Sequence, residues 1–347
     1  MKIYYSSMFI REDINSIDEL VRLADNDKIQ LCLDTNICIY LRDLYNKPLE
    51  IFNRKDNTID ELFKFLKSVE CHDLNVDFFY GCEEASRSLD VFNINEYKLE
   101  EIVRNINSIF NMSTNELFQF MYRNEVSNPC IDYSKRTDSK LQSLERPSSF
   151  KNILMLNYAC LLQLYIQKKK YPNLDNADQM IRYIDFLNSE VDMISTANLI
   201  FGYHYFSNDS LIKKMVHTKK NEIEYKVHAI WNAAIDLTLP ILVSYKFVKE
   251  DVIPVLVTSD VRLFTLFNSM KIKFIVRGGV IVPPLIEINL NQIPWKEEDI
   301  KRVDNYFNSI QKSRRERLYC DNRELDEIIV KNMSLCKKLE DEAKIYM

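Results

Sequence analysis

Two apolar runs that stop on an aspartate, one near each end of the chain, constrain the fold more than anything else in this sequence. IQLCLD (29–34) is a compact strand-forming run that halts at Asp34 and passes straight into TNICIYLRDLY, whose apolar residues return at helical spacing. PVLVTSD (254–260) repeats the pattern, a β-branched run ending at Asp260 before the helical VRLFTLFNSM. A strand that is apolar throughout needs cover on both faces, and strands alternating with helices build a parallel sheet. KIKFIV (271–276), closed by Gly278 and Gly279, reads as one more strand of it. The expected fold class is α/β, a parallel sheet flanked by helices.

What lies between the two landmarks is helical in period. Residues 16–27 suit a short amphipathic helix, and Thr58 with Glu61 forms a capping box for a helix through Glu70. Asp77 is placed to cap a helix with Phe78, Cys82, Ala85 and Leu89 on its core face and Glu83 and Glu84 at its surface edge. From 96 to 246 the apolar spacing is almost wholly helical, broken by a polar, proline-bearing loop at 127–149. Two charged helices, about 296–318 and 322–345, read as a C-terminal hairpin. The expected organisation is a core in two halves, 1–95 and 221–290, with a helical insertion outside the sheet at 96–220 and a helical extension at 291–347.

Several chemistries lack their residues. Only four glycines occur, at 81, 202, 278 and 279, so there is no Walker loop and no GxGxxG turn. No HExxH and no GxSxG is present. The eight cysteines show neither a CxxC pair nor zinc-knuckle spacing and read as reduced, mostly buried thiols. No signal peptide and no apolar run long enough for a bilayer is seen, so the expected compartment is the cytoplasm and no membrane partner is expected. At a net charge of −5, contact with a polyanion has to rely on local basic patches. What remains in quantity is carboxylate.

Asp34 and Asp260 both stand at carboxyl ends of strands, where open α/β sheets bind their ligands. Acids gathered there call for a hard divalent cation such as Mg²⁺ or Mn²⁺, which prefers oxygen donors. On these residues the sequence resembles the PIN-domain family. LDTNICIYL (33–41) matches the family's first strand and its Asp-Thr-Asn turn, and LVTSDVRLF (256–264) its late strand with a Thr-x-Asp turn. WNAAIDLTLPILVSY (231–245) looks like the helix that brings a further acid. The resemblance covers roughly 29–92 and 221–290. It implies a metal set of Asp34, Asp236 and Asp260, a motif turn of Thr35, Asn36 and Thr258, and Glu84 as the family's glutamate. Glu83, Glu224 and Asp192 are alternatives for that last role, because 236 − 84 = 152 residues separate Glu84 from the next acid.

Each feature also has a plain explanation. Asp34 and Asp260 could simply cap the helices that follow them, although capping leaves Asp236, in the middle of an apolar helix, unexplained. The basic clusters Lys168–Lys170, Lys213, Lys214, Lys219 and Lys220, and Arg314, Arg315 and Arg317 could be solvated helix ends. The 213–220 cluster precedes the Asp236 helix and is the candidate substrate-binding patch. The resulting expectation is a metal-dependent endonuclease with one or two Mg²⁺ or Mn²⁺ ions, acting on nucleic acid with RNA ahead of DNA, in the setting of a toxin or defence effector. The helical additions would serve homo-oligomer contacts or a regulatory protein. The rival is a catalytically silent PIN-like scaffold that binds RNA or a protein.

Overall fold

A computed structural model of the chain describes every residue except 26, 87–93, 123–147, 193, 208–210, 275–284, 291–292 and 320–324. It divides the chain into two compact units, Met1–Arg146 with Val243–Asn268, and Pro147–Leu242 with Ser269–Met347.

The first unit holds a four-stranded sheet of β1 (Tyr4–Ser6), β2 (Ile29–Leu33), β3 (Asn75–Asp77) and β4 (Ile253–Thr258) in the order β1-β4-β2-β3. β4, β2 and β3 run parallel, and β1 lies antiparallel to β4. Every residue of β4 is buried, as an apolar central strand requires. It even tolerates Pro254. The Ile253 amide bonds toward β2, so residue 254 faces the β1 side, where the β1 pairing stops at Ser6 opposite Leu256. There the Ser7 hydroxyl donates to the Pro254 carbonyl at 2.9 Å, and no ladder bond needs the missing N–H.

The expected α/β class with a helix-flanked sheet holds, and the expectation of one parallel sheet is corrected in two ways. The sheet is mixed, and the described part of the 271–276 run, up to Phe274, does not join it. Instead β5 (Met270–Phe274) pairs antiparallel with β6 (Leu285–Ile288) in the second unit. The reason is visible in its residues. Lys271 and Lys273 alternate with Met270 and Ile272, and a lysine at every second position needs a wet face that a buried parallel strand lacks.

Helices α1 (Ile17–Leu23), α2 (Thr35–Asn46), α3 (Pro48–Phe52), α4 (Thr58–Cys71) and α5 (Phe79–Ser86) complete this part of the first unit. On α2, Ile37, Cys38, Leu41 and Leu44 are fully buried at helical spacing and anchor the core. The cap of α4 differs from expectation, with Asn57 at the N-cap position and the Thr58 amide donating to Asp56 at 3.0 Å. Asp77 does cap α5, accepting from the Phe79 amide at 2.9 Å.

Every described element between 96 and 220 is helical, as the periodicity predicts. The boundary at 96 nevertheless cuts through a unit. α6 (Glu96–Asn111) and α7 (Thr114–Tyr122) share one core with the sheet, because Leu99, Ile102, Ile106, Ile109 and Leu117 cluster with Ile37, Leu41 and Leu44. The loop at 127–149 lies, up to residue 147, outside the described residues.

The second unit contains α8 (Ser148–Lys170), α9 (Asn176–Phe186) running into a π turn (Leu187–Val191), α10 (Thr196–Phe206), a 3-10 turn (Ile212–Val216) and most of α11 (Ile223–Glu250). α12 (Val261–Asn268) returns to the first unit. The two charged C-terminal helices each have a partner. α13 (Glu297–Tyr319) packs on α9, where Arg302 reaches Asp175 at 2.9 Å and Asp178 at 2.6 Å, and α14 (Leu325–Tyr346) packs on α8. Six cysteines are described, all free thiols and all but Cys71 buried, while Cys130 and Cys320 fall outside the described residues. Among the described residues no helix is long and apolar enough to cross a membrane.

Candidate metal centre

The carboxyl ends of β2, β3 and β4 share one edge of the sheet because the three strands are parallel. The register sets Leu33 beside Val257, so the residues that follow, Asp34 and Thr258, are neighbours. Both are buried, and the Thr258 hydroxyl donates to Asp34 Oδ2 at 2.7 Å. The Thr35 amide donates to Asp34 Oδ1 at 2.7 Å and the Asn36 side-chain amide to Oδ2 at 3.2 Å. Asp34 therefore is the N-cap of α2 and is also held rigidly at the sheet edge. Burial pushes its carboxyl above the ordinary range despite these donors, and the charge of Asp260 adds to the push.

Glu84 reaches the same place from α5. Its Oε2 accepts a short hydrogen bond from the Thr35 hydroxyl, so one turn orients both acids, through its backbone for Asp34 and its side chain for Glu84. Glu83 and Glu84 were both expected at a surface edge. Glu83 is in fact buried and Glu84 half-buried, because α5 lies tightly on the end of β2. Gly81 makes that approach feasible. A Cβ there would stand 2.6 Å from Cys38 Sγ and 2.8 Å from the Leu33 carbonyl oxygen.

Asp236 is half-buried on α11 among the buried Ala234, Ile235, Leu237 and Thr238. The turn that carries it is pinned by a buried polar chain. Asn198 donates to Asn157 at 3.0 Å, Asn157 to Thr238 at 2.9 Å, and Thr238 to the Ala234 carbonyl at 2.8 Å. In the first unit, Asp34 and Glu84 each offer one carboxylate oxygen, and these oxygens lie within 4.8 Å of one another.

Within the first unit Glu84 lies beside Asp34, and Asp260 is close enough for its charge to act on Asp34. Asp260 caps α12, accepting from the Arg262 amide at 2.7 Å, and its carboxylate is gripped by the Arg262 guanidinium, with Nε at 2.9 and 3.0 Å. Burial works to raise its pKa, but the hydrogen bonds and charge of Arg262 outweigh that and hold it below the ordinary range. Of the alternatives, Asp192 closes the π turn in a left-handed conformation at φ 61°, and Glu224 sits in the first turn of α11. Both lie in the second unit.

The basic cluster belongs to the second unit. Lys213 is half-buried on the 3-10 turn, Lys214, Lys219 and Lys220 are exposed, and Lys220 lies 3.6 Å over the Tyr225 ring.

An all-oxygen pair of carboxylates suits a hard divalent cation and offers nothing to a soft one. Sequence reasoning missed Gly81, Arg262 and the Asn157–Thr238 chain. Gly81 left one signal, as a rare glycine in a helical stretch three residues before Glu84. The partners of Asn157 and Asn198 are 81 and 41 residues away and left none. No family model matches this chain, and neither does any curated protein or solved structure.

Proposed function

We propose that the chain is a metal-dependent, PIN-like nuclease hydrolysing phosphodiester bonds, with RNA ahead of DNA as substrate, Mg²⁺ or Mn²⁺ as cofactor and the cytoplasm as its compartment. The observation that carries this reading is the approach of Asp34 and Glu84 carboxylate oxygens to within 4.8 Å around Thr35, with Asp236 proposed as a further ligand on the family resemblance. Carboxylates at that spacing repel one another, and a divalent cation removes the repulsion. When bound, such an ion lowers the pKa of a coordinated water and offsets charge on phosphoryl oxygens.

The chain's own residues provide the rest. Thr258, Asn36 and the Thr35 amide fix Asp34 in one rotamer, and the Thr35 hydroxyl fixes Glu84, so the donors are oriented before any ion arrives. Arg262 neutralises Asp260 with a partly exposed guanidinium.

The test is cleavage of a panel of RNA and single-stranded DNA with Mg²⁺, Mn²⁺ or EDTA, for the parent, Asp34→Asn and Glu84→Gln. Activity in the parent should need the metal and fall by at least about a thousandfold in both variants. Because burial already disfavours the ionised Asp34, Asp34→Asn should melt at or above the parent at pH 7. Cleavage that persists in EDTA, or in the variants, would sink the metal mechanism. A parent inert on every substrate would favour the scaffold.

A further inference from the structure

The second unit gathers positive charge from two distant segments of chain. Lys168 and Lys169 end α8, Lys213 and Lys214 lie on the 3-10 turn, and His217 follows that turn with its amide bonded to the Lys214 carbonyl. A buried aromatic floor joins them. The His217 ring stacks on Tyr205, with centroids 6.1 Å apart, and lies 6.2 Å from Tyr165, over which the Lys169 ammonium sits at 5.8 Å. Tyr165 and Tyr205 are buried, while Lys169, Lys214 and His217 are exposed.

Lysines in the last turn of a helix ordinarily need no further explanation, since they complement its dipole. That account covers Lys168 and Lys169 but not Lys213, which belongs to another element. The charges are also close enough to oppose one another. Burial and then the Lys213 charge lower the pKa of Lys168, and burial, Lys213 and Lys169 lower that of His217. Lys170, next along, is neutralised by Glu342 at 3.1 Å. Lys168, Lys169, Lys213 and Lys214 have no carboxylate partner among the described residues. Like charges held together without a counter-charge favour an anion.

We infer that Lys168, Lys169, Lys213 and Lys214, on the aromatic floor beneath His217, form a docking surface for the phosphate backbone of single-stranded nucleic acid. A polyanion fits better than a free phosphate. The surface has no glycine, and so no backbone nest to wrap a single phosphate, and it presents mobile point charges on two elements. This deepens the nuclease reading by giving the enzyme a handle on substrate away from the acids, but the binding itself does not depend on catalysis.

The experiment is fluorescence anisotropy in EDTA with the full chain and a labelled single-stranded RNA of about 20 nucleotides, across a salt series. The Lys169→Gln/Lys213→Gln double variant should bind at least about tenfold more weakly at low salt, with the slope of log K against log salt reduced by about 1.4, two contacts' worth. Lys312→Gln, an exposed lysine on α13, should match the parent. Thermal melts establish that each variant is folded. Equal binding and slope in the double variant would overturn the assignment, as would no binding by the parent. Displacement of the RNA by pyrophosphate at equal molar potency would overturn the choice of a polymer. Loss of binding alongside intact metal-dependent cleavage of a dinucleotide would support this surface, and binding without any cleavage would count against the nuclease reading alone.

Discussion

At the residue scale the candidate centre depends on two groups that hold no metal. Thr258 gives its hydroxyl to a carboxylate that is 1% exposed, and its Oγ1 accepts the Asp260 amide at 3.0 Å. Thr258→Val keeps the shape and removes both bonds. It should destabilise the protein by about 1–3 kcal/mol in urea unfolding, and Thr258→Ser should recover most of the loss. Gly81 works by having no side chain. Gly81→Ala sets a methyl against the Leu33 carbonyl, a backbone atom that cannot step aside, so α5 has to move outward with Glu84 on it. The expected cost is about 1–3 kcal/mol together with weaker Mn²⁺ binding in equilibrium dialysis. Unchanged Mn²⁺ affinity in Gly81→Ala would show that Glu84 is not a ligand.

At the element scale, the scarcity of glycine has a consequence at chain reversals. Asp25, Asp73, Asp192 and Asp251 all adopt positive φ, from 43° to 61°, in places where glycine is the usual residue. Aspartate tolerates this conformation better than most residues, but it still costs more than glycine there. Asp73 follows the cap of α4 at φ 48°. Asp73→Gly should therefore be neutral to stabilising by up to about 1 kcal/mol, read from the urea midpoint. A clear loss of stability would mean that its carboxylate contributes more than its backbone costs. The parallel pairing of β2, β3 and β4 is what carries Asp34 and Thr258 to one edge. β5, with its alternating lysines, shows how a short apolar run of similar length is sent elsewhere.

At the scale of the whole molecule, acid and metal should act on stability in opposite directions. His204 is buried in the second unit, and burial lowers its pKa to about 4 from 6.5. The unfolded chain takes up this proton first, so the stability that neutral His204 contributes is present above pH 6.5 and is lost as pH falls toward 4. The loss is at most about 3 kcal/mol. His204→Gln should flatten the melting profile in that window, and an unchanged profile would show that other groups set it. Mn²⁺ at 100 times its dissociation constant should add about 2.7 kcal/mol of stability, an increment that EDTA reverses and Asp34→Asn lacks.

Much of this protein was legible along the chain. Strands at 29–33 and 253–258 follow from apolar runs, the helices from their period, and Asp34, Thr35 and Thr258 from their place where strand gives way to helix, because these signals are local. Whether an acid is paired, capped or gathered with others depends on residues far away, and local pattern does not carry that. Asp260 and Asp34 look alike in sequence, yet one is held by Arg262 and the other by Thr258 from across the sheet. Glu83 and Glu84 looked equally exposed until the α5 contact at Gly81 buried one and turned the other toward Thr35. Which residues had chemistry to offer, and on which elements, could be read along the chain. Which of those charges meet is set by packing between segments up to 224 residues apart, and no local pattern records it.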